Sequence, residues 1–594
     1  MKCIFVNTYY PEFLNSVYSG NRSLEKLDYA SQLSLLYGTH FGESDFYSRN
    51  LRAAGWEAID VIANCEPLQK EWGRERGLDG PPLAIAVEQI RRERPDVVYL
   101  HDMSIASEAF VQAIRPFGTL IVGQIASPVH PNTCLNGFDL IFTSFPHFAS
   151  TFRSHGIPSF YQPLAFEGKI FEALKERERD LPVTFIGGIS LVHRKGTEFL
   201  EQLASLTELQ VWGYGADILP QDSLLRSRHN GPVWGTDMFN LLFRSEITVN
   251  RHIDVAGTNA NNMRLFEATG CGALLITDFK DNLQDLFEVG KEVVAYRTPQ
   301  ECAELIHYYQ RNREEARAIA KAGQARTLRE HSYANRMKQT AMVLQRAVRR
   351  KLQPAQPVDI SRVSFGHSPL DARNITDPQK DAWKEASVAQ SQRKLVESEI
   401  SAAFRGAPPR VFTALVDSLE PITNQGDSIL EIGCASGYAS EVLEYLLHRS
   451  IQYTGVDYSE AMISMARDYY PEKLFLVADA TAVPFSSNLF NVTISSCVLL
   501  HLSDPQAGVK EAIRLSNKYI IAHRTPICRK RPTHTVKKFG YEVEMFEHTF
   551  NEVDFISMFR RNGAVLIRVI TLSEDPSRDE YNYNYIFKKT VDSI

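Results

Sequence analysis

The residues of this chain that are best suited to chemistry form three loops in its last third. The stretch ILEIGCASG (429–437) has the pattern of a buried strand that ends in a carboxylate and a glycine-rich turn, and two later apolar runs also end in carboxylates. Glycine lets the backbone approach a ligand that a Cβ would block, and a carboxylate at a strand end can bind ribose hydroxyls. The sequence therefore predicts a nucleoside site formed by Glu431, Gly433, Gly437, Asp457, Asp479 and Ala480.

The spacing in the first loop differs from the dinucleotide fingerprint G-x-G-x-x-G, which disfavours a nicotinamide cofactor. The three loops together resemble those of class I S-adenosylmethionine-dependent methyltransferases. The resemblance implies that the first loop holds the amino acid part of the cofactor, Asp457 the ribose and Asp479 the adenine. It also implies a Rossmann-like domain with a seven-stranded sheet and an antiparallel final strand. The alternative is that the glycines only form tight turns in another α/β domain.

Two histidines at predicted strand ends are candidates for the base that methyl transfer to a hydroxyl requires. His523 ends the run KYIIAH (518–523) and is the preferred general base. His501 is the second candidate. It lies in the phrase VLLHLSDP (498–505), which is common in this family with many substrates, so a structural role is favoured for it.

Two segments of the first half are suited to binding a phosphorylated ligand. The segment TFIGGISLVHRKG (184–196) has the pattern of a strand, a glycine turn and a basic helix start. Backbone N–H groups there, together with Arg194 and Lys195, would neutralise a diphosphate; a solvated helix start is the alternative. The segment NANNMRLFEATGCGALLITD (259–278) adds a helix that carries Glu267, a glycine break and a buried strand.

These segments resemble the C-terminal donor-binding domain of GT-B glycosyltransferases, particularly the branch related to the spore maturation protein CgeB. The resemblance implies two Rossmann-like domains with a nucleotide sugar between them. It implies that Glu267 binds the ribose and Lys195 the diphosphate, with Arg264 close by. A further match is the motif WGYG (212–215). The implied nucleotide-sugar ligands are Arg194, Lys195, Tyr214, Arg264 and Glu267.

The stretch DVVYLHD (96–102) places His101 at a strand end, where it resembles the histidine that faces the donor sugar in many GT-B enzymes. A satisfied core histidine is the alternative. Asn259 occupies the position at which many retaining members carry the first of two glutamates, so the stereochemistry is left open. An inverting enzyme would need a general base in the N-terminal domain. The candidates are His101, Asp102, Glu43 and Asp45.

The length of 594 residues exceeds what one hydrophobic core supports, and apolar runs alternate with helical patterns as in α/β proteins. We expect two Rossmann-like domains in a GT-B arrangement, followed by the methyltransferase domain. The expected boundaries are an acceptor-side domain at 1–165, a nucleotide-sugar-binding domain at 166–352, a linker at 353–378 and the methyltransferase domain at 379–594.

The composition limits the kinds of partner that we expect this chain to bind. A net charge of −6 supplies no broad basic field for nucleic acid, and the eight cysteines form no C-x-x-C pair or zinc-type cluster. No apolar run approaches the ~20 residues that span a bilayer, so we expect only peripheral membrane contact. These features predict a metal-free cytoplasmic protein; its oligomeric state is not predicted.

The resemblances together predict a bifunctional enzyme that uses S-adenosylmethionine and a nucleotide sugar. It would transfer the sugar to a glycan or glycoconjugate and methylate that sugar, with O-methylation preferred. The alternative is a methyltransferase fused to a non-catalytic GT-B module that binds glycan. Fold and fusion alone do not specify the donor or the acceptor.

Overall fold

The structure is a computed structural model that describes residues 1–21, 23–118, 120–174, 178–189, 194–352, 365–447, 449–541 and 543–590. The chain forms two compact units, Met1–Gln353 and Pro354–Ile594. The first unit contains two lobes, each built on its own parallel sheet, and the second unit is built on one mixed sheet. The predicted α/β class with parallel Rossmann-like sheets is confirmed.

The first lobe of unit 1 is a parallel sheet covered by helices. Its strands are β1 (Lys2–Asn7), β2 (Glu57–Ile62), β3 (Val97–Leu100), β4 (Leu120–Ile125), β5 (Leu140–Thr143) and β6 (Ser159–Tyr161). Its helices are α1 (Pro11–Gly20), α2 (Tyr29–Gly38), α3 (Phe46–Ala53), α4 (Glu66–Arg74), α5 (Pro82–Glu93), α6 (Glu108–Ile114) and α7 (Pro146–Ser154). The strand order is β2-β1-β3-β4-β5-β6. β3 and β5 are buried along their whole length, as expected for strands covered on both faces.

The second lobe has the strand order β11-β10-β9-β7-β8, again all parallel. Its strands are β7 (Leu181–Ile186), β8 (Gln210–Trp212), β9 (Ser245–Asn250), β10 (Leu274–Asp278) and β11 (Val294–Tyr296). The helices that follow β7 are α8 (Arg194–Leu206), α9 (Leu224–Ser227), α10 (Gly235–Arg244), α11 (Met263–Gly270), α12 (Leu283–Leu286), α13 (Pro299–Arg311), α14 (Arg313–Glu330) and α15 (Tyr333–Leu352). Ligands of such sheets bind at the carboxyl ends of the strands.

Helix α15 differs from its expected place in the second domain. It packs against α3 of the first lobe. Arg336 Nε donates to Pro163 O at 3.0 Å, and Thr340 Oγ1 donates to Gln162 Oε1 at 3.0 Å. The last helix of unit 1 therefore belongs structurally to the first lobe. A single domain boundary along the sequence cannot describe this arrangement, because the helix follows the second lobe in the chain.

Unit 2 contains a larger sheet than the seven strands predicted. Its strands are β12 (Phe365–Leu370), β13 (Ser428–Ile432), β14 (Gln452–Asp457), β15 (Leu474–Val477), β16 (Phe490–Ser496), β17 (Ser516–Cys528), β18 (His534–Gly540), β19 (Val543–Asn551), β20 (Ala564–Asp575) and β21 (Glu580–Lys589). Its helices are α16 (Asp377–Asp381), α17 (Ala386–Phe404), α18 (Arg410–Leu419), α19 (Tyr438–Leu446), α20 (Glu460–Tyr469), α21 (Pro505–Leu515) and α22 (Glu552–Arg561). Within the described residues the sheet has ten strands, because β12, β18 and β19 extend it beyond β17.

The other seven strands run in the order β15-β14-β13-β16-β17-β21-β20. β21 is antiparallel to β17, whereas β13 to β17 pair in parallel. Phe365–Leu370 were expected in the linker but form β12, which pairs antiparallel with β18. The remainder of that linker, at 353–364, lies outside the described residues. No helix in the described part of the chain is both long and apolar enough to cross a bilayer.

Candidate active sites

A cleft of about 600 Å³ opens in unit 1 between the carboxyl ends of the two parallel sheets. The first lobe contributes residues that follow β1 and β3, and the second lobe contributes residues that follow β7 and residues of α11. Of the residues predicted from the sequence, the cleft brings together Glu43, His101, Asp102, Tyr214, Arg264 and Glu267. Two predicted groups of site residues that are distant in sequence therefore line the same cleft.

His101 forms a close pair with Glu43. His101 Nδ1 lies 2.7 Å from Glu43 Oε2, and both side chains are largely buried. Glu43 Oε1 also accepts from Gln124 Nε2 at 3.0 Å, and Gln124 Oε1 accepts from Tyr99 OH at 2.8 Å. Rings of the core pack around the histidine, with Tyr47 edge-on at 4.4 Å between centroids. The side chains behind Glu43 thus fix the position of the imidazole.

The other two candidates for a base have structural partners. Asp102 accepts from Thr8 Oγ1 at 2.5 Å and from the backbone N–H of Ser104 at 2.8 Å, so it caps the turn after β3. Asp45 lies at the start of α3, 3.8 Å from Arg49 NH2. The contacts of both carboxylates are therefore accounted for by the local fold.

Glu267 on α11 faces the cleft from the second lobe. It is 5 % exposed, and its Oε2 lies 2.8 Å from Arg264 NH1. Burial raises the pKa of Glu267, and Arg264 opposes that rise. Arg264 Nε also donates to Ile186 O at 3.0 Å, which ties α11 to the end of β7. The pair places an acceptor and a cation side by side, as recognition of a ribose and a phosphate requires.

The glycine turn after β7 is required by packing. A Cβ at Gly213 would lie 2.0 Å from Gly187 O, and one at Gly188 would lie 2.3 Å from the Tyr214 ring. The N–H of Gly187 donates to Trp212 O at 3.0 Å, so the turn is bound to the loop that follows β8. The predicted use of this N–H group for a diphosphate is therefore not supported.

The basic residues of that prediction lie next to the turn. Lys195 is exposed at the start of α8, and the side chain of Arg194 and the residues 190–193 lie outside the described part. Tyr214 stacks on Trp234 at 5.6 Å between ring centroids, and Tyr10 of the first lobe approaches both rings edge-on at 5.9 Å. Aromatic side chains from both lobes thus line the cleft, and the sequence analysis had singled out only Tyr214.

A polar cluster at the ends of β9 and β10 was also missed. His252 Nδ1 lies 2.7 Å from Asp278 Oδ1, and Lys280 Nζ lies 3.4 Å from Asp278 Oδ2. Burial favours the protonated acid, but His252 and Lys280 outweigh it and lower the pKa of Asp278. His252 and Arg264 line a second pocket of about 200 Å³ beside the cleft. The signal in the sequence was the run of polar residues directly after β9.

In unit 2 the first glycine loop follows β13. Glu431 is 2 % exposed and accepts from Tyr453 OH, and burial raises its pKa to about 7. Gly433 and Gly437 have φ of 78° and 73°. A Cβ at Gly437 would lie 2.6 Å from the Phe475 ring. Glu431 therefore supports the loop from beneath, and the glycines are required by the backbone and by β15.

Asp457 at the end of β14 meets this loop directly. Its Oδ2 accepts from Ala435 N and its Oδ1 from Ser459 N, each at 2.9 Å. Burial raises the pKa of Asp457. A carboxylate oxygen accepts two hydrogen bonds, so each oxygen retains a lone pair for a ribose hydroxyl. The residues at the end of β14 therefore fit the diol of a nucleoside.

Asp479 and Ala480 follow β15, the neighbour of β14. Asp479 is exposed and accepts from Thr481 N at 2.7 Å, whereas Ala480 is buried. The N-terminal part of α17 covers the same region, because Val388 packs in one cluster with Ala435 of the loop. The predicted cofactor residues are thus brought together at adjacent strand ends beneath a helical cover.

His523, the preferred base in the sequence analysis, is a core histidine. It is 3 % exposed, and its Nδ1 lies 2.9 Å from Asn584 Oδ1 on β21. Burial, with a contribution from Arg524, lowers the pKa of His523 to about 3. A nitrogen of such low basicity that is bonded within the sheet is a poor proton acceptor. The burial of His523 inside the sheet therefore disfavours the predicted base role, which stays a prediction.

His501, like His523, has its Nδ1 beside an acceptor oxygen, but it lies after β16 and not inside a strand. Its Nδ1 lies 2.9 Å from Phe546 O, so that nitrogen donates and Nε2 carries the lone pair. Nε2 lies 3.9 Å from Glu547 Oε1, and the Trp383 ring lies 5.2 Å from the imidazole. Burial lowers the pKa of His501, which keeps the ring neutral near pH 7. Its position beyond β16 is open to a role in proton transfer.

Comparison with protein families agrees with this division of the chain. Residues 194–341 match the model described as glycosyl transferase-like, and residues 430–518 match the model described as a methyltransferase domain. The chain thus contains a glycosyltransferase-like domain and a methyltransferase domain. The first match runs from α8 into α15, and the second from β13 into β17.

Curated relatives match short stretches. The chain is 30 % identical over 94 residues to a 2-phytyl-1,4-naphtoquinone methyltransferase of Thermosynechococcus vestitus, which is 15 % of this chain and 42 % of the relative. It is 25 % identical over 91 residues to a demethylmenaquinone methyltransferase of Renibacterium salmoninarum, 15 % of this chain and 37 % of the relative. The chain thus spans about two fifths of the length of the curated relatives it matches.

Solved structures of methyltransferases are similar at low identity. Magnesium protoporphyrin IX methyltransferase from Synechocystis PCC 6803, with bound SAM, is 17 % identical with a TM-score of 0.27, and the match covers 38 % of this chain and 99 % of that one. The 1,6-didemethyltoxoflavin-N1-methyltransferase of Burkholderia thailandensis is 13 % identical with a TM-score of 0.28, covering 40 % and 99 %.

Proposed function

We propose that this chain carries two transferase sites, one for a methyl group and one for a sugar. Unit 2 transfers methyl from S-adenosylmethionine, and unit 1 transfers a sugar from a nucleotide-sugar donor to a glycan or glycoconjugate. The observation that carries the proposal is the convergence of the predicted polar residues at strand carboxyl ends in each unit.

In unit 2, S-adenosylmethionine supplies an electrophilic methyl group when it is bound. Asp457 would bind the ribose hydroxyls with its remaining lone pairs, and the loop of Gly433 and Gly437 would hold the amino acid part. Asp479 and Ala480 would lie beside the adenine. Two features of the structure support this fit: the meeting of Ala435 N with Asp457 Oδ2 at 2.9 Å, and the cover that α17 provides.

His501 is the proposed general base for methyl transfer. A sugar hydroxyl holds its proton at neutral pH, so transfer to oxygen needs an acceptor for that proton. His501 Nε2 is deprotonated because Nδ1 donates to Phe546 O. The hydroxyl would donate to Nε2 while its oxygen faces the methyl group. General-base assistance of this kind contributes about 10²–10⁴-fold.

In unit 1, the pair of His101 and Glu43 supports an inverting mechanism. Glu43 Oε2 lies 2.7 Å from His101 Nδ1 and would favour a proton there, which would leave Nε2 to accept the proton of the acceptor hydroxyl. As the proton is transferred, the carboxylate stabilises the imidazolium that forms. Asp102 would orient the loop rather than act as the base, because Thr8 and Ser104 already donate to it.

The second lobe would bind the donor. Glu267 would accept from the ribose hydroxyls, and Arg264 would face the diphosphate because it lines both the cleft and the adjoining pocket. Lys195 would add charge at the helix start. Tyr214, stacked on Trp234, offers a flat apolar face to a sugar or a base.

In a second candidate function, unit 1 only binds a glycan and delivers it to unit 2. The specific observation in its favour is Asn259, whose Nδ2 lies 3.2 Å from His147 Nδ1 of the first lobe. Asn261 likewise donates to Ser144 Oγ at 2.6 Å. Residues just before α11 therefore join the lobes, where many retaining enzymes carry a carboxylate.

The experiment that separates the two functions is donor hydrolysis by the full chain. UDP-, GDP- and dTDP-sugars are incubated with the protein without an acceptor, and release of the nucleoside diphosphate is measured. An active transferase releases it slowly, and His101→Ala abolishes the release. No release from any donor by wild type, combined with binding of the glycan, would establish the binding module instead.

The methyl acceptor is proposed to be the sugar itself or its neighbour on the glycan. The curated relatives carry names of quinone methyltransferases, and a quinol would offer a more acidic hydroxyl than a sugar. The juxtaposition of the two domain types in one chain favours a saccharide. Assays of S-adenosylhomocysteine formation with both acceptor classes decide between them.

A further inference from the structure

Three residues near the proposed methyl-transfer site have a left-handed backbone conformation, which residues with a side chain rarely adopt. Cys497, Arg524 and Tyr541 have φ of 55°, 59° and 50°. Each such residue costs about 1–3 kcal/mol, and such strain is concentrated at ligand sites. Cys497 follows the end of β16, and Arg524 lies inside β17, directly after the last residue that pairs with β16. Cys497 N donates to His523 O at 3.0 Å. These residues mark a place that the mechanism above does not use.

Arg524 is a half-buried arginine with unused donors. Its backbone N–H donates to Asn584 Oδ1 at 3.0 Å, the same oxygen that His523 contacts. Within the described ranges, its guanidinium has no hydrogen bond and no ion pair within 4.0 Å. A guanidinium carries five N–H donors, and those of Arg524 are not buried without a partner, so they reach solvent and are available to a ligand.

Among the described residues, the groups around Arg524 include one carboxyl group. Those that interact with the guanidinium electrostatically are Cys497, Tyr438 on α19, Glu399 on α17 and Tyr541. Burial raises the pKa of Cys497 and of Tyr438, so both are neutral near pH 7. Burial also raises the pKa of the Glu399 carboxyl, although Arg524 opposes that rise. One carboxyl group engages at most part of the five N–H donors of a guanidinium, so donors remain for an additional anion.

The position of Arg524 suits an acceptor ligand. Arg524 and Cys497 line one narrow crevice where β16 ends and β17 continues past it. Tyr541 lies 5.4 Å from the Trp383 ring, which lies 5.2 Å from His501. Arg524 and the proposed base His501 therefore lie in the same part of unit 2.

We propose that Arg524 binds an anionic group on the methyl acceptor, so that the acceptor is an acidic or phosphorylated sugar. The inference rests on the proposed methyltransferase function and specifies its substrate class. The planar fork of arginine matches two oxygens of a carboxylate or a phosphate, which makes recognition bidentate. A uronic acid and a sugar phosphate share this chemistry.

The test measures stabilisation of the full chain saturated with S-adenosylhomocysteine. Glucuronate, glucose 6-phosphate and neutral glucose are titrated at matched ionic strength, and the thermal midpoint of unit 2 is followed. At least one acidic sugar is expected to raise the midpoint, while glucose does not. A response to glucuronate alone identifies a carboxylate, and a response to glucose 6-phosphate identifies a phosphate.

Arg524→Gln should weaken the apparent affinity for that acidic sugar at least tenfold. Arg524→Lys keeps the charge without the fork and should retain part of the response, which also checks the site if the glutamine variant does not fold. The matched control is Arg560→Gln, which removes an exposed arginine from α22 and should respond like wild type.

Two results would overturn the inference. One is an equal response of wild type and a folded Arg524→Gln, and the other is a wild type that responds to neither acidic sugar. Binding of S-adenosylhomocysteine is measured separately by calorimetry. Loss of that binding in wild type would refute the methyltransferase proposal itself, so the two failures are distinguishable.

Discussion

Glu43 Oε2 lies 2.7 Å from His101 Nδ1 in the cleft of unit 1, and Glu43 Oε1 accepts from Gln124 at 3.0 Å. One carboxylate therefore contacts two side chains at once: it accepts from Gln124 and lies beside the imidazole of His101, which borders the cleft. The contact between Glu43 and His101 supports a base in the first lobe more strongly than the position of the histidine in the sequence does.

Glu43→Gln should lower kcat/KM for sugar transfer at least about tenfold, which is 1.4 kcal/mol of activation free energy. A glutamine removes the negative charge beside the His101 imidazole, while it keeps one oxygen for the N–H of Gln124. Steady-state kinetics with methyl transfer as the internal reference measure the effect. Asp45→Asn is the matched control, since Asp45 contacts Arg49. Equal rates in the two variants would remove Glu43 from the mechanism.

Gly437→Ala should weaken S-adenosylhomocysteine binding more than Gly426→Ala. Both glycines have positive φ, of 73° and 81°, so both variants carry the cost of about 1 kcal/mol for a side chain there. Only the Cβ at 437 would meet a neighbour, the Phe475 ring at 2.6 Å. Calorimetry and thermal midpoints compare the variants. Identical behaviour would show that contact with Phe475 does not limit the loop.

His501→Ala should reduce kcat for methyl transfer by about 10²–10⁴-fold with cofactor affinity unchanged. His523→Ala should instead lower stability by about 1–3 kcal/mol, because a buried side chain and its hydrogen bond to Asn584 are lost. It should leave kcat nearly intact at temperatures below its thermal midpoint. The two effects are separated by kinetics at a temperature where both variants are folded. A folded His523→Ala protein without activity would restore His523 as the base.

The stability of unit 2 should depend on pH through Glu431. Its pKa is raised in the folded state from 4.5 to about 7, so the folded chain keeps a proton that the unfolded chain releases. The contribution of this group therefore falls as pH rises from about 4.5 to about 7. Relative to wild type, Glu431→Gln should gain in thermal midpoint across that window and then level off. A difference that stays constant from about pH 5 to pH 8 would contradict the raised pKa.

Much of the fold followed from local patterns. The apolar runs beginning near Lys2 and near Leu181 form β1 and β7, because buried parallel strands have continuous apolar sequences. The three strands β12, β18 and β19 escaped prediction. β12 has a sequence rich in polar residues and glycine, and only pairing with β18 makes it a strand.

Sequence patterns predicted which strands carry site residues near their ends, but they did not predict the directions in which the side chains point. His523 and Arg524 are adjacent in sequence and both border the crevice, yet only the side chain of His523 is bonded to Asn584 within the sheet. The positive φ of 59° at Arg524 interrupts the alternation of the strand, and no sequence pattern announces it. Glu43 was one of four candidates until its contact with His101 separated it from Asp45.

The central claim, two independent transferase sites in one chain, is tested most directly by equilibrium binding to two variants. S-adenosylhomocysteine and a panel of nucleoside diphosphates are titrated into wild type, Asp457→Ala and Glu267→Gln. Asp457→Ala should lose about 1.5–3 kcal/mol, roughly tenfold to hundredfold, for S-adenosylhomocysteine alone. Glu267→Gln should lose affinity for one nucleoside diphosphate alone. Loss of both ligands in either folded variant, or no nucleoside diphosphate bound by wild type, would contradict the account.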